Sequence, residues 1–292
     1  MMLTIKAPAK INWFLHVLGL RDDGFHEIQS LMQKIALYDV LTFTPSKDLI
    51  LETDASIPPE QNLVYKAAVL LRDTYGVGKG ACVRLDKNIP VGAGLGGGSS
   101  DAAAALAGLS ELWSLDITRE ELCGIAGQLG SDAPFFLCGP LSFAQGRGER
   151  LTPCMARKPA HLLLVKPPFP VSTAWVYKEF RNSKLKIQGH LPELTNKSGK
   201  VDNIEFLISS VERAGFRDAA EIISNDLESV TVRSFPVIAE IKKKLVREGA
   251  VFSLMSGSGS TVFGVFNSPE EAEDASRSFK GFWTAAVSTI ID

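Results

Sequence analysis

Pro90-Val91-Gly92-Ala93-Gly94-Leu95-Gly96-Gly97-Gly98-Ser99-Ser100-Asp101, running on into Ala102-Ala103-Ala104-Ala105-Leu106, decides how this 292-residue chain is read. Five of the nine residues from 90 to 98 are glycine, and the pattern then becomes helical. Glycine reaches positive φ and leaves no Cβ in the way of an approaching group. Ser99, Ser100 and Asp101 stand where a helix N-terminus is expected, with its unpaired amides and the positive end of its dipole. Such a helix start behind a glycine loop is an anion site, and phosphate is its commonest occupant. A flexible linker or a plain helix cap is the bland alternative. A linker has no reason to lie between an apolar strand pattern over 81–89 and a strong helix pattern over 99–113. The stretch predicts nucleotide binding.

Three phosphate-loop patterns compete. G-x-x-x-x-G-K-[ST] is absent, because Gly78-Lys79 continues into Gly80 and Gly199-Lys200 into Val201. G-x-G-x-x-G is formally present at Gly92, Gly94 and Gly97, with Asp116 about twenty residues on. A dinucleotide unit needs a strand after its helix, with the acidic residue at the strand's end. Here a second helix follows: Thr118 and Glu121 form a capping box, with Ile117 and Leu122 placed as a hydrophobic staple. Leu122, Ile125, Ala126 and Leu129 repeat at i, i+3, i+4, i+7, and Gly130 ends the run. Strand, loop, helix, helix is not βαβ. What remains is Pro-x-x-x-Gly-Leu-Gly-x-x-Ser-Ser.

Outward from this loop, strands are expected at Asn12–Leu18, Ile28–Tyr38, Val40–Thr44 and Leu49–Thr53, where β-branched and alternating residues concentrate. Asn62 caps a helix that reaches Tyr75. Short strands are expected at 141–144, 150–154 and 161–165, then a helix at 173–180 and a polar, non-periodic surface segment over 181–202. Helices at 203–213, 217–223 and 236–248, strands at 250–255 and 260–266, a helix at 269–279 and a strand at 282–290 complete the chain. Strands and helices are segregated rather than strictly alternating, which is the α+β pattern.

Bulk properties narrow the class. The length suggests about two domains, and 45% hydrophobic with 22% charged residues is ordinary for a globular protein. With 33 acidic against 31 basic residues, a net charge of −2, neither nucleic acid nor membrane is expected as a partner. The chain opens on a strand-like Leu3–Ala7 with no signal-peptide pattern and no bilayer-length apolar run, so a cytoplasmic location is expected. Cys82, Cys123, Cys138 and Cys154 lack C-x-x-C pairing and read as reduced thiols. His16, His26, His161 and His190 show no metal-ligand spacing, and no protein-built metal site is expected.

The loop pattern resembles the phosphate loop of the GHMP kinases. Two further segments resemble that superfamily's other motifs: Lys6-Ala7-Pro8-Ala9-Lys10-Ile11-Asn12 and Met255-Ser256-Gly257-Ser258-Gly259-Ser260-Thr261. The resemblance narrows at Lys10–His16, Asp23-Gly24-Phe25-His26-Glu27, Gly130–Phe136, Gly146-Arg147-Gly148-Glu149 and Asn225-Asp226-Leu227-Glu228. These look like the branch that phosphorylates the 2-hydroxyl of a cytidine-diphosphate-linked methylerythritol on the non-mevalonate route to isoprenoid precursors. Trp13 and Phe25 depart from it, standing where Leu and Tyr are expected; ring stacking does not need the phenol hydroxyl. The resemblance implies a two-domain fold. Residues 1–155 would form a ribosomal-protein-S5-domain-2-like unit with the phosphate loop, and 156–292 a ferredoxin-like unit. It also implies an ATP-dependent kinase acting as a monomer or weak homodimer. A GHMP kinase for homoserine or mevalonate would lack a use for the Asp23–His26 segment. A non-catalytic nucleotide- or RNA-binding protein on this fold would not need Lys10 and Asp132.

Phosphoryl transfer needs in-line positioning, charge neutralisation and a group to take the acceptor's proton. Asp132 follows Gly130 and precedes Pro134, for which a helix cap is the bland alternative. Lys10 taken alone is a lysine on a solvated strand face. The resemblance makes them a catalytic pair, with positive charge beside the carboxylate and the reacting hydroxyl. It assigns Pro90, Val91, Gly92, Ala93, Gly94, Leu95, Gly96, Gly97, Gly98, Ser99 and Ser100 to ATP. Either serine could instead simply cap its helix. Mg²⁺ would be held mainly by ATP phosphate oxygens, as its coordination habits allow. His26 would read a cytosine edge with Phe25 and Tyr177 stacking on its faces; core packing is the other reading of the two rings. Asn12 would bind substrate phosphate or hydroxyl, or else is a turn or strand-edge residue, and Asp132 would face the acceptor as well.

Overall fold

Between residues 3 and 46 the chain forms two long strands, β1 (Leu3–Leu20) and β2 (His26–Ser46), in a computed structural model that describes residues 2–54, 57–183, 203–216, 219–220 and 223–291. Both are longer than the sequence suggests. The alternation that marks a half-exposed strand is lost over Ala7–Val17, where nearly every residue is buried. The expected break between Tyr38 and Val40 does not occur. Asp39, a poor strand former, has a fully buried side chain paired with Lys87, and the strand continues through it.

Next come β3 (Leu49–Thr53), α1 (Leu63–Tyr75), β4 (Gly80–Asp86), α2 (Gly97–Leu112), α3 (Arg119–Leu129), α4 (Ala133–Leu137), β5 (Leu141–Gly146), β6 (Arg150–Cys154) and β7 (His161–Lys166). After these lie α5 (Thr173–Asn182), α6 (Asn203–Glu212), α7 (Glu228–Ser234), α8 (Val237–Arg247), β8 (Phe252–Met255), β9 (Val262–Phe266), α9 (Pro269–Ser276) and β10 (Trp283–Ser288). Helix α7 is not anticipated, because Val230-Thr231-Val232 favours strand by local propensity. Val230 and Thr231 are buried, so packing overrides it. Residues 184–202 of the expected surface segment, and 217, 218, 221 and 222 of an expected helix, lie outside the described residues.

Contacts divide the chain into two units. The first comprises residues 1–10, 37–91 and 96–139; the second comprises 11–36, 92–95 and 140–292. They interleave in sequence.

In the first unit β4 pairs antiparallel with Val40–Ser46 of β2 and parallel with β3. Local signals define its helices. Asn62 accepts from the Val64 amide and Gly76 closes α1 in the left-handed region, while Thr118 and Glu121 form the expected capping box. Small residues let α2 lie close: Ala102, Ala103 and Ala105 are buried, and a Cβ on Gly108 would sit 2.5 Å from the Phe43 ring. Gly108→Ala would overpack that contact, at a cost of about 1–3 kcal/mol.

In the second unit β5 pairs antiparallel with Ile28–Gln33 of β2 and with β6. A separate antiparallel sheet runs β10-β7-β9-β8. Leu163, Val165, Ile238, Ile241, Leu245 and Val262 build its core.

Candidate active site

In the first unit Lys10 is buried near the middle of β1, and its Nζ lies 3.3 Å from Asp132 Oδ2. That removes the solvated-lysine reading. Asp132 occupies the N-cap position of α4, yet it makes no side-chain cap bond. A capping Asp directs its carboxylate at the first-turn amides; this one pairs with the ammonium instead. The Asp132 side chain is 33% exposed against 5% for Lys10. The pair is thus a buried cation beside a reachable carboxylate.

The glycine loop meets this pair at Gly96. Its φ is +71°, a conformation that costs an L-residue about 1–2 kcal/mol. A Cβ there would lie 2.9 Å from Phe136 Cζ and 3.0 Å from Lys10 Cγ. Helix α2 starts at Gly97, with Gly96 as N-cap and no side-chain cap. Neither Ser99 nor Ser100 is therefore the cap, and the helix begins two residues earlier than expected. The Ser100 amide already donates to Gly96 O at 2.9 Å. Gly97, Gly98 and Ser99 are left as the amides without an intrahelical acceptor. Ser100 Oγ is buried with no hydrogen-bond partner.

Within the second unit the segment Gly92–Leu95 is fastened to the 255–261 loop. Ser256 Oγ donates to Gly94 O at 2.9 Å, and the Thr261 amide donates to Ala93 O at 3.2 Å. A Cβ on Gly94 (φ +75°) would fall 2.3 Å from Ser256 O, so the close approach itself requires glycine. Asn225 Nδ2 donates to Met255 O and Gly257 O at 2.8 and 2.7 Å, and Glu228 Oε2 accepts from the Met255 amide at 3.1 Å. The Asn225–Glu228 motif is thus the brace of the glycine-serine loop, a role its sequence did not announce.

The turn between β1 and β2 is held by charge. Arg21 reaches Glu27 at 2.6 Å and Asp23 at 3.2 Å, and Asp23 accepts from the Phe25 amide at 3.1 Å. That amide and the guanidinium hold the Asp23 carboxyl below its ordinary range. His26 stacks on Tyr177, ring centroids 5.1 Å apart. Burial, and secondarily the charge of Arg181, lowers the His26 pKa, so its imidazole is neutral at pH 7. Phe25 is 51% exposed, and it is Arg147 whose guanidinium lies over its ring, 4.7 Å from the centroid. The structure therefore brings His26 to Tyr177 and Phe25 to Arg147. Arg147 had a signal, its place in Gly146–Glu149, but no assigned role. Asn12 lies mid-strand, 2% exposed, its Nδ2 donating to Ser30 Oγ at 2.7 Å. Trp13 is fully buried and donates from Nε1 to Gln33 Oε1 at 2.6 Å.

Among the described residues no group of three or more His, Cys, Asp or Glu is placed to hold a metal ion, and no helix is long and apolar enough to cross a membrane.

The family model for the GHMP kinases N terminal domain matches residues 62–140, and that for GHMP kinases C terminal matches 207–285. The 4-diphosphocytidyl-2-C-methyl-D-erythritol kinase of Thermodesulfovibrio yellowstonii is 45% identical across 100% of this chain and 99% of its own. Its counterpart in Pelotomaculum thermopropionicum is 45% identical across 96% and 94%. A crystal structure of 4-(cytidine 5'-diphospho)-2C-methyl-D-erythritol kinase matches with a TM-score of 0.77 at 33% identity, covering 99% of this chain and 100% of its own. Homoserine kinase from Cytophaga hutchinsonii, 16% identical with a TM-score of 0.72 over 99% and 95% of the two chains, shares the fold.

Proposed function

This chain belongs to the GHMP kinases and, within them, to the 4-diphosphocytidyl-2-C-methyl-D-erythritol kinases, and from that premise we propose how its residues carry out the transfer. It moves the γ-phosphoryl group of ATP to the 2-hydroxyl of 4-diphosphocytidyl-2-C-methyl-D-erythritol. The observation that carries the residue assignment is the Lys10–Asp132 pair, whose carboxylate is not used as a cap and whose lysine abuts Gly96. The acceptor oxygen attacks phosphorus, its proton passes to Asp132, the bond to the bridging oxygen breaks, and ADP leaves. Lys10 supplies positive charge where the alkoxide develops. Residues 90–100 hold the phosphates, chiefly through the amides of Gly97, Gly98 and Ser99.

Mg²⁺, when bound with ATP, would neutralise phosphate charge. The buried, unpartnered Ser100 Oγ is the protein oxygen that fits it, with the remaining ligands coming from phosphate and water. On the acceptor side, neutral His26 reads the cytosine edge, Phe25 and Tyr177 offer ring faces, and Arg147 adds a cation beside Phe25. Asn12, its Nδ2 held by Ser30 Oγ, is assigned to the acceptor's phosphate or hydroxyl. A homoserine or mevalonate acceptor would leave this aromatic group without a role. The family-domain borders fall at 1–155 and 156–292, and the enzyme works in the cytoplasm as a monomer or weak homodimer, without nucleic-acid or membrane partners. A coupled ATP-to-ADP assay with the cytidyl acceptor tests the reading: activity is expected with wild type and is lost in Asp132→Asn, and an active Asp132→Asn overturns the assignment.

A further inference from the structure

A buried charge cluster in the first unit lies outside the catalytic pair. Lys87, immediately after β4, is 12% exposed in its side chain and reaches Asp39 Oδ2 at 2.5 Å and Asp101 Oδ2 at 2.9 Å. Asp39 is fully buried, and its other oxygen accepts from the Asn88 and Ile89 amides at 2.6 and 2.8 Å. Asp101 belongs to α2, is 4% exposed in its side chain, and leaves Oδ1 without a partner. Residues 87–89 are the entry to the glycine loop and α2 is its exit. One ammonium therefore joins the two ends of the loop. Burial, and secondarily the Asp39 carboxylate beside it, pushes the Asp101 carboxyl up to about 7 against the opposing pull of Lys87. The cluster lies in the early turns of α2, near the positive end of the helix dipole.

Gly97 fits the same arrangement. Its φ is not in the left-handed region, so backbone conformation does not require glycine. A Cβ there would lie 3.1 Å from Lys87 Nζ and 2.9 Å from Ile89 Cγ2. The position is kept bare by the clamp as well as by any phosphate.

We infer that Asp39, Lys87 and Asp101 are positioning residues for ATP: they fix the separation of the loop's two ends and so preorganise the amides that receive phosphate. None of them touches the reacting atoms in this account. Preorganisation raises affinity by removing the cost of ordering the loop on binding. The inference rests on the kinase reading for its ligand, but not for its mechanical content.

Lys87→Met would leave two buried carboxylates unpaired and is expected to unfold. Asp101→Ala leaves Lys87 its Asp39 partner and is the test variant; Asp101→Asn keeps an oxygen for Lys87 and is the rescue. Hydrogen exchange on the ligand-free protein should show amides of 88–98 exchanging about tenfold faster in Asp101→Ala, with α1 unchanged and with recovery in Asp101→Asn. The ATP dissociation constant should rise about tenfold in Asp101→Ala, while the acceptor KM and kcat stay within about threefold. Wild-type exchange over 88–98, an equal rise across α1, or kcat and both KM values worsening together would overturn the clamp. A wild-type protein that binds no ATP would instead defeat the kinase reading, with the exchange result still deciding the clamp.

Discussion

Replacing Gly96 by alanine puts two costs on the catalytic pair. The first is conformational: φ is +71°, and a side chain there costs about 1–2 kcal/mol. The second is steric. The new Cβ would stand 2.9 Å from Phe136 Cζ and 3.0 and 3.1 Å from Lys10 Cγ and Cε. Phe136 is 9% exposed and packed edge-on to Phe135 at 5.3 Å, so it has little room to retreat. The flexible lysine gives way, and its ammonium moves relative to a carboxylate now 3.3 Å away. A misplacement of 1 Å can cost about 10²-fold in rate. A smaller shift predicts a kcat drop of about tenfold. The strain alone predicts a melting temperature lower by about 2–8 °C for a unit of this size. Gly98→Ala is the backbone control. Its Cβ would meet only Leu63 Cδ1, at an ordinary 3.5 Å, in the first turn of α2. With no positive φ to oppose it, it should raise stability by about 0.4–1 kcal/mol. Steady-state kinetics beside thermal melting reads both. Gly96→Ala with wild-type kcat and a lowered melting temperature would refute the link from the loop to Lys10.

Other outcomes follow from the same geometry. Asp132→Asn should lower kcat by at least about 10²-fold, the scale of a positioned proton acceptor, with ATP affinity by calorimetry unchanged; Lys10→Met should behave alike. His26, its pKa lowered by burial, stays neutral above pH 6.5 and charges only below it. The acceptor KM should be flat from pH 8 to 6.5 and rise only under more acid conditions, a dependence absent in His26→Gln. Burial likewise lowers the His16 pKa against the weaker opposing pull of Asp226. A depressed folded value means stability present above pH 6.5 and lost as pH falls through that value. The urea midpoint should therefore fall between pH 7 and 5, and His16→Gln should flatten that fall.

The loop, its flanking strand and helix, and the capping box were legible because glycine, N-cap residues and 3.6-residue spacing act locally. Asp132 was not separable from a helix cap in the sequence, because the choice depends on Lys10, 122 residues away and meeting it at 3.3 Å. Asp39 was illegible for the same reason: its partners Lys87, Asn88 and Ile89 turn an unfavourable strand residue into an anchor. The Asn225–Glu228 segment carries no local signature of bracing the 255–261 loop, since its bonds go to backbone carbonyl and amide groups. Arg147 over Phe25 is likewise a tertiary contact.

Acceptor choice separates this kinase from its relatives on the same fold. Purified protein with ATP and Mg²⁺ is given the cytidyl acceptor, its uridyl analogue, homoserine or mevalonate, and ADP release is followed beside phosphorus NMR of the product. A new phosphomonoester on the 2-hydroxyl of the cytidyl acceptor is predicted, with the uridyl analogue poorer by at least about tenfold, because mispairing leaves a buried polar group unsatisfied. Homoserine and mevalonate should give no product. Phosphorylation of either at a rate matching the cytidyl acceptor, or no transfer to the cytidyl acceptor by folded protein, would contradict the account.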